Sequence, residues 1–248
     1  MNPYTLFVAD IHLQPEPDHP INQAFEKFLI DEAPKAEALY ILGDLFEMWV
    51  GDDICLKQYA SIVSKLKFLT DNGLPIYCQY GNRDFLMREG FWQATGIQFL
   101  AEPNQVNLYQ HTYLIMHGDG LCTDDKGYQR MRSILRNSIV QWVFLNLSRK
   151  RRLAIGQKMR HGSAQHSQNK SKAIMDVNTQ AACNLFKQYP NVEHIIHGHT
   201  HRPAHHKIES GQQTLHRWVL GDWQALTDGP SKLLRVSVSG PELIDYPC

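Results

Sequence analysis

Five times along this chain a short run of β-branched, aromatic or aliphatic residues gives way to Asp, Asn or His, four times beside a glycine. Tyr4 to Ala9 leads into Asp10-Ile11-His12, and Ala38 to Leu42 into Gly43-Asp44. Pro75 to Tyr80 leads into Gly81-Asn82-Arg83-Asp84, Tyr113 to Met116 into His117-Gly118-Asp119, and His194 to Ile196 into Gly198-His199-Thr200-His201. Short apolar runs bounded by turn residues read as strands covered on both faces. At the carboxyl edge of such strands α/β proteins assemble their binding residues from several loops. The spacing therefore predicts five strand ends converging on one crevice.

The side chains at those ends share one chemistry. Asp10 and Asp44 offer carboxylate oxygen, Asn82 an amide oxygen, and His12, His117, His199 and His201 imidazole nitrogen, with no thiolate among them. Mixed oxygen and nitrogen ligation suits Mn²⁺, Fe or Zn²⁺ better than Ca²⁺ or a sulfur-loving metal. In two-metal hydrolases the ions sit roughly 3.5–4 Å apart, activate a water and clamp phosphoryl oxygens, which calls for one shared carboxylate. Asp44 is the candidate bridge. The plainer reading is that buried Asp and His satisfy hydrogen bonds at strand ends; one Asp-x-His or Gly-His pair would say no more, but five motifs in order do.

That order, D-x-H, GD, GN followed by His or Arg, H and GHxH, resembles the calcineurin-like metallophosphoesterases. The resemblance implies an α/β fold of two β-sheets sandwiched between helices. It also implies one metal on Asp10, His12, Asp44 and His201 and another on Asp44, Asn82, His117 and His199. Most members carry His after the Asn, a proton donor to an alkoxide leaving group, where this chain has Arg83. A phosphate monoester leaves as a stable anion and needs a fixed cation rather than a proton, so Arg83 points to a pyrophosphate substrate. The alternative role for Arg83 is a structural ion pair.

More narrowly, the stretches Gly43 to Asp53, Gly81 to Leu86, Met116 to Asp119, Leu121 to Asp125, Ala173 to Asn178 and His197 to Pro203 are similar to the pyrophosphohydrolases of UDP-linked diacylglucosamine in lipid A biosynthesis. This resemblance implies hydrolysis of UDP-2,3-diacylglucosamine to 2,3-diacylglucosamine 1-phosphate and UMP, with water attacking the α-phosphorus and two Mn²⁺ per chain. Asp44, Asn82 and Arg83 would act at the reacting phosphate. Asn82, Arg83, Asp125, Ser163, Ser167, Lys170 and His199 would touch substrate, Ser167 standing where a relative carries Asn. Asp52, Asp53 and Asp119 are expected to accept hydrogen bonds from the ligand imidazoles. His19, His111, His161, His166, His194, His197, His205, His206 and His216 fall outside the ligand pattern, His197 reading as an orienting residue.

Formal charge is zero, but it is unevenly spread. Between Lys126 and Lys172 lie 12 of the 25 Lys and Arg and none of the 25 Asp and Glu. Such segregation gives part of the surface a positive field for phosphates or anionic lipid. The same stretch, about 125–172, interrupts the strand pattern and predicts a helical cap inserted into a single domain, 1–248. Met131, Ile134, Leu135, Ile139, Trp142 and Val143 follow helical spacing, and Val140, Phe144, Leu145 and Leu147 make its second half apolar nearly all round. Either that stripe packs on the core, or it lines an acyl groove and touches a bilayer beside Arg149-Lys150-Arg151-Arg152.

Elsewhere, helices are expected over Ile21 to Asp31, Ile54 to Asn72 and Arg88 to Thr95, alternating with strands through residue 120. Short strands are expected at Arg217 to Leu220, Lys232 to Val238 and Glu242 to Tyr246. Five cysteines without a CxxC pair argue against a disulfide framework. With Met1 to Ala9 read as a strand, no secretory signal is expected, and no run approaches 18 apolar residues. The expectation is a monomer at the cytoplasmic face of the inner membrane, peripheral, with the UDP-linked lipid as substrate and no nucleic acid partner, since the basic stretch lacks interleaved aromatics. The competing readings are a phosphodiesterase or pyrophosphatase for a soluble nucleotide such as ADP-ribose and a non-catalytic scaffold, which loss of a ligand would favour.

Overall fold

The computed structural model describes residues 2–168, 176–210, 213–223 and 230–247, with 161–168, 210 and 213 described by their backbone alone. The chain runs β1 (Tyr4–Val8), α1 (Pro20–Asp31), β2 (Ala38–Leu42), α2 (Asp52–Gln58), α3 (Ala60–Asp71), β3 (Ile76–Gln79), α4 (Glu89–Thr95), β4 (Gln98–Phe99), β5 (Asn104–Leu108) and β6 (His111–Ile115). It continues through α5 (Lys126–Leu135), α6 (Ser138–Leu145), α7 (Arg149–Gln168), α8 (Thr179–Gln188), β7 (His194–His197), β8 (Ala204–Ser210), β9 (Gln213–Val219), β10 (Ser231–Ser237) and β11 (Gly240–Tyr246).

Two sheets result, in the orders β11-β10-β1-β2-β3-β4 and β5-β6-β7-β9-β8. Strands β1, β2, β3 and β4 run parallel, as do β6, β7 and β9, while β10, β11, β5 and β8 pair antiparallel at the flanks. Period-two alternation decides the layers. In β1, Phe7 faces the second sheet and joins Tyr40, Tyr113, Ile115, Ile196 and Trp218 in the inter-sheet core. Its neighbours Leu6 and Val8 face Phe25, Phe28 and Leu66 of α1 and α3. On the far face of the second sheet, Leu114 and Ile195 pack against Ala182 and Phe186 of α8. The expected sandwich of two sheets between helices is therefore what the chain forms.

The departures have local causes. The expected helix from Ile54 to Asn72 is broken at Tyr59, where φ −107° and ψ 30° end α2 and start α3. Tyr59 is buried, stacks near Trp49 and Phe46, and donates its hydroxyl to the Leu13 carbonyl at 3.2 Å. Strand and helix do not alternate as far as residue 120: from Gln98 to Ile115 the chain forms strands only, with β5 and β6 paired as a hairpin. The polar strands β5 and β8 carry too few apolar residues to stand out in sequence. Among the described residues, Cys55, Cys78, Cys122 and Cys183 form no disulfide.

Helices α5, α6 and α7 occupy the stretch 125–172 that the sequence predicts as a cap, whose final residues lie outside the described ones. The apolar stripe divides between its two readings. Leu135, Phe144 and Leu145 pack on the core, whereas Ile139 (70% exposed), Trp142 (67%), Ile134 and Val143 are exposed. Phe144→Ser is accordingly expected to lower unfolding free energy by about 2–4 kcal/mol, and Trp142→Ser to change it by no more than about 0.5 kcal/mol, as read by urea unfolding. Equal losses would mean that Trp142 is also packed. No helix among the described residues is long and apolar enough to cross a membrane.

The basic run behaves differently from its expected role. Arg152 is buried (4% exposed) and clamps Asp53 with two nitrogens at 2.8 and 2.7 Å, while also donating to the Val50 carbonyl. Arg149 adds a third bond to Asp53 at 2.9 Å. Lys150 and Arg151 of that run are exposed and have no such tie among the described residues. A Cβ at Gly51 would lie 2.2 Å from the Arg152 guanidinium, and one at Gly156 2.8 Å from Val50, so both glycines permit α7 to sit close.

Candidate metal centre

All seven candidate ligands stand just past strand ends: Asp10 and His12 after β1, Asp44 after β2, Asn82 after β3, His117 after β6, and His199 and His201 after β7. Five of them, Asp10, His12, Asp44, His199 and His201, hold positive φ between 51° and 67°. A non-glycine residue in the left-handed region costs of order 1 kcal/mol or more and persists where the surroundings impose it, typically at functional sites. Here it turns each chain end back so that alternate side chains point into the same cleft. Gly81 and Gly198 allow the close approach, since a Cβ at either would meet a carboxylate oxygen of Asp44 at 2.0 Å or of Asp10 at 2.3 Å.

The ligand atoms converge. Asp44 Oδ2 lies 3.7 Å from His117 Nε2 and 4.0 Å from His12 Nε2, between imidazoles assigned to the two different metals. Its Oδ1 is held by the Arg83 amide at 2.8 Å, which turns Oδ2 inward. Asp10 is arranged alike: Oδ2 accepts from the His199 amide at 2.7 Å, and Oδ1, 3.4 Å from His201 Nε2, has no hydrogen-bond partner among the described residues. Buried carboxylate oxygens without donors are normally avoided. His12 Nε2 and His201 Nε2 face each other at 3.4 Å. His117 donates Nδ1–H to the Leu42 carbonyl at 2.9 Å, so in its neutral form Nε2 turns a lone pair toward Asn82 Oδ1 at 3.1 Å. Acceptors facing acceptors in this way fit cations between them. The donor set, oxygen and nitrogen in one cleft, fits a pair of divalent transition metals.

The protein's own charges state the same need. Burial opposes protonation of His117, yet the carboxylates of Asp44, Asp10, Asp119 and Glu102 outweigh it and raise the imidazole to about 9. Burial also disfavours the charged form of Asp10, but His201, His117 and His12 keep its carboxyl well below the usual range. His199 is pushed down to about 4 by burial and by His117.

The residues that steady the imidazoles are not those expected. Glu47 Oε2 lies 3.3 Å from His12 Nδ1, and Asp222 Oδ2 3.3 Å from His201 Nδ1. Asp52 instead accepts from Trp49 Nε1 and from the amides of Arg88 and Phe91 at the start of α4. Asp53 belongs to the cap clamp, and Asp119 binds Tyr128 and Arg132 of α5 and Arg136 just past its end. Asp84, unremarked in the sequence, ties the ends of β2 and β3 by accepting from the Gly81 and Leu45 amides at 2.7 Å each. His197 does orient its surroundings: it donates Nδ1–H to the Gly198 carbonyl and accepts from Arg217, and burial lowers it to about 3.

Between cap and metal cluster opens a cavity of about 570 Å³ lined by His12, Asp44, Asn82, Arg83, Asp125, Tyr128, Arg132, Arg136, His199 and His201. A smaller apolar cavity of about 60 Å³, lined by Met48, Leu86, Leu135, Val140 and Phe144, shares Asn82 and Arg83 with it. The Arg83 guanidinium lies 3.8 Å from Glu47, which also meets Arg160 of α7 at 3.2 Å. Asp125 caps α5 by accepting from the Tyr128 amide at 2.9 Å. Ser163 and Ser167 lie on α7, with their side chains outside what is described, and Lys170 falls outside the described residues altogether.

Two sheets whose strand ends gather seven oxygen and nitrogen ligands under a cap form the arrangement of a metal-dependent phosphoesterase. The chain belongs to the calcineurin-like phosphoesterase family, whose sequence profile matches residues 4–203. It is 43% identical over 243 residues to a protein of Yersinia pestis named UDP-2,3-diacylglucosamine hydrolase, covering 98% of this chain and 99% of the relative. A protein of Yersinia pseudotuberculosis with the same name matches to the same extent. Among solved structures, a dimetal phosphatase from Danio rerio shares the fold, with TM-score 0.51 and 11% identity over 98% of this chain and 99% of that one.

Proposed function

We propose that this protein hydrolyses the pyrophosphate bond of UDP-2,3-diacylglucosamine, releasing UMP and 2,3-diacylglucosamine 1-phosphate, at the cytoplasmic face of the inner membrane. The observation that carries the reading is the cavity of about 570 Å³, in which the ligand cluster and Arg83 meet apolar side chains such as Met48, Met131 and Leu135, with the smaller apolar cavity adjoining it at Asn82 and Arg83. Full-length likeness to relatives bearing the hydrolase name supports it. A diacylated sugar with a charged diphosphate needs both surfaces at once, and a soluble nucleotide needs only one.

Asp10, His12, Asp44 and His201 would hold one Mn²⁺, and Asp44, Asn82, His117 and His199 the other. When bound, two such ions supply an activated water and positive charge for the phosphoryl oxygens. The Asp44 and Asp10 oxygens are preset for this by the Arg83 and His199 amides, and the imidazoles by Leu42, Glu47 and Asp222. Arg83 would meet the charge that grows on the departing sugar phosphate. Asp125, Ser163, Ser167 and Lys170 would contact the substrate, and Lys150, Arg151 and the outward face of α6 would meet the membrane as a monomer.

Product analysis tests the reading. UDP-2,3-diacylglucosamine is expected to yield UMP and the lipid phosphate, with ¹⁸O from solvent in UMP alone, and ADP-ribose to be cleaved at least about a hundredfold more slowly. Comparable turnover of both, or label in the sugar phosphate, would overturn it. Chelator is expected to abolish turnover, with Mn²⁺ restoring it better than Ca²⁺; full activity in excess chelator would remove the metals from the reaction. Arg83→His should lower kcat by about 10²-fold, because a fixed guanidinium suits a phosphate leaving group better than a titrating imidazole. Unchanged kcat would leave Arg83 as the ion-pair partner of Glu47.

A further inference from the structure

Four histidines outside the metal centre lie together at the other end of the second sheet. Candidate ligands follow the carboxyl ends of β6 and β7, whereas His111 and His194 are the first residues of those same strands. His194 opens β7 and His197 closes it, roughly 10 Å away along the strand, and His199 lies beyond that far end. Register pairs Tyr113 with His194, His194 with His216, and His205 with Trp218. The rings form an unbroken row: His111 to His194 at 5.7 Å, His194 stacked on His216 at 4.8 Å, His216 on His205 at 5.0 Å, and His205 on Trp218 at 3.7 Å.

Apolar aromatics would fill such a row with less conflict, because neighbouring imidazoles repel one another once protonated. At one end the row gains a carboxylate. Donor atoms of His111, Glu193 and His194 all lie within 4.8 Å of one another, His111 and Glu193 exposed and His194 buried. We propose that His111, Glu193 and His194 form a second divalent-metal site, selective for zinc, nickel or copper, that is separate from the catalytic cleft. Two imidazoles and one carboxylate are a ligand set for these ions, with remaining positions open to water on the solvent side.

The local chemistry is prepared for it. A metal needs neutral imidazole, and burial, then His216, His111 and His205, hold His194 down at about 4, so its ring is unprotonated at neutral pH. Ligands at ~2.1 Å in tetrahedral arrangement stand roughly 3.4 Å apart, a contraction that the two exposed side chains can supply. Trp218 donates its indole N–H to His194 Nδ1 at 3.2 Å. A metal on Nδ1 displaces that bond, and a metal on Nε2 requires the ring proton at Nδ1, which ends it as well. Trp218 is therefore a reporter of occupancy.

The test adds Zn²⁺ to the Mn²⁺-loaded protein in excess Mn²⁺, counts total bound metal after gel filtration, and follows tryptophan emission. Exchange within the catalytic cleft leaves the Mn plus Zn total unchanged, whereas the second site raises it by one. The added equivalent should be accompanied by an emission change that Trp218→Phe removes. His111→Ala and Glu193→Gln, both exposed positions, should each weaken this zinc binding at least about tenfold with Mn²⁺-supported hydrolysis unaltered. No rise in total metal in the wild type, or a rise that both variants retain, would overturn the site. A rise lost only in His205→Ala would place the metal elsewhere in the row and overturn this ligand set.

Discussion

Asp44→Asn is expected to lower kcat by at least about 10³-fold and to leave less than one metal per chain. Its Oδ2 lies within 4.0 Å of imidazoles from both proposed ligand sets, so its negative charge serves both ions. A loss of about 4 kcal/mol of transition-state stabilisation corresponds to that factor. Asn is chosen because it tolerates the left-handed backbone at φ 51° and keeps an acceptor for the Arg83 amide, so the change tests charge rather than conformation. Asp10→Asn should retain one metal and lose less activity, since Asp10 belongs to one ligand set. Metal analysis of the purified variants checks this: equal metal content in the two would contradict a bridging Asp44.

Arg152→Glu is expected to loosen the cap, lowering Tm by roughly 5–10 °C and raising KM for the diacylated substrate more than it lowers kcat. Removing a buried cation from a carboxylate and a carbonyl costs about 2–4 kcal/mol, and reversing its sign sets Glu against Asp53. By contrast, the double variant Lys150→Glu, Arg151→Glu should melt like the wild type and bind anionic vesicles at least about tenfold more weakly, each basic residue near such a surface contributing about 1 kcal/mol. Calorimetry and vesicle sedimentation separate the two. If Arg152→Glu melts normally and merely loses vesicle binding, α7 is not held by this clamp, and the whole run faces the membrane.

The corrected role of Arg152 marks where sequence reasoning stops. In α7, Arg152, Gly156 and Arg160 occupy one face at successive four-residue steps, and all three meet the core: Arg152 at Asp53, Gly156 at Val50, and Arg160 at Glu47 and Gln14. An inward face built of arginine and glycine has no apolar signature, so periodicity reads it as solvated. The outward Ile139 and Trp142 mislead in the opposite sense.

What the sequence determined by itself was local. The runs from Tyr4, Ala38, Ile76 and His194 are strands because they are apolar on both faces, and the residues at their ends name the metal chemistry, since ligand type depends on the side chain alone. Glu47 and Asp222 carry no such mark. Glu47 lies 35 positions from His12, and Asp222 21 positions from His201, so nothing but the packing of the strand ends and loops could bring them to those imidazoles. Tertiary structure also decided which cations pair with carboxylates of other elements and which remain in water. A charge's partner is set by geometry over a few ångströms, and proximity along the chain says little about that.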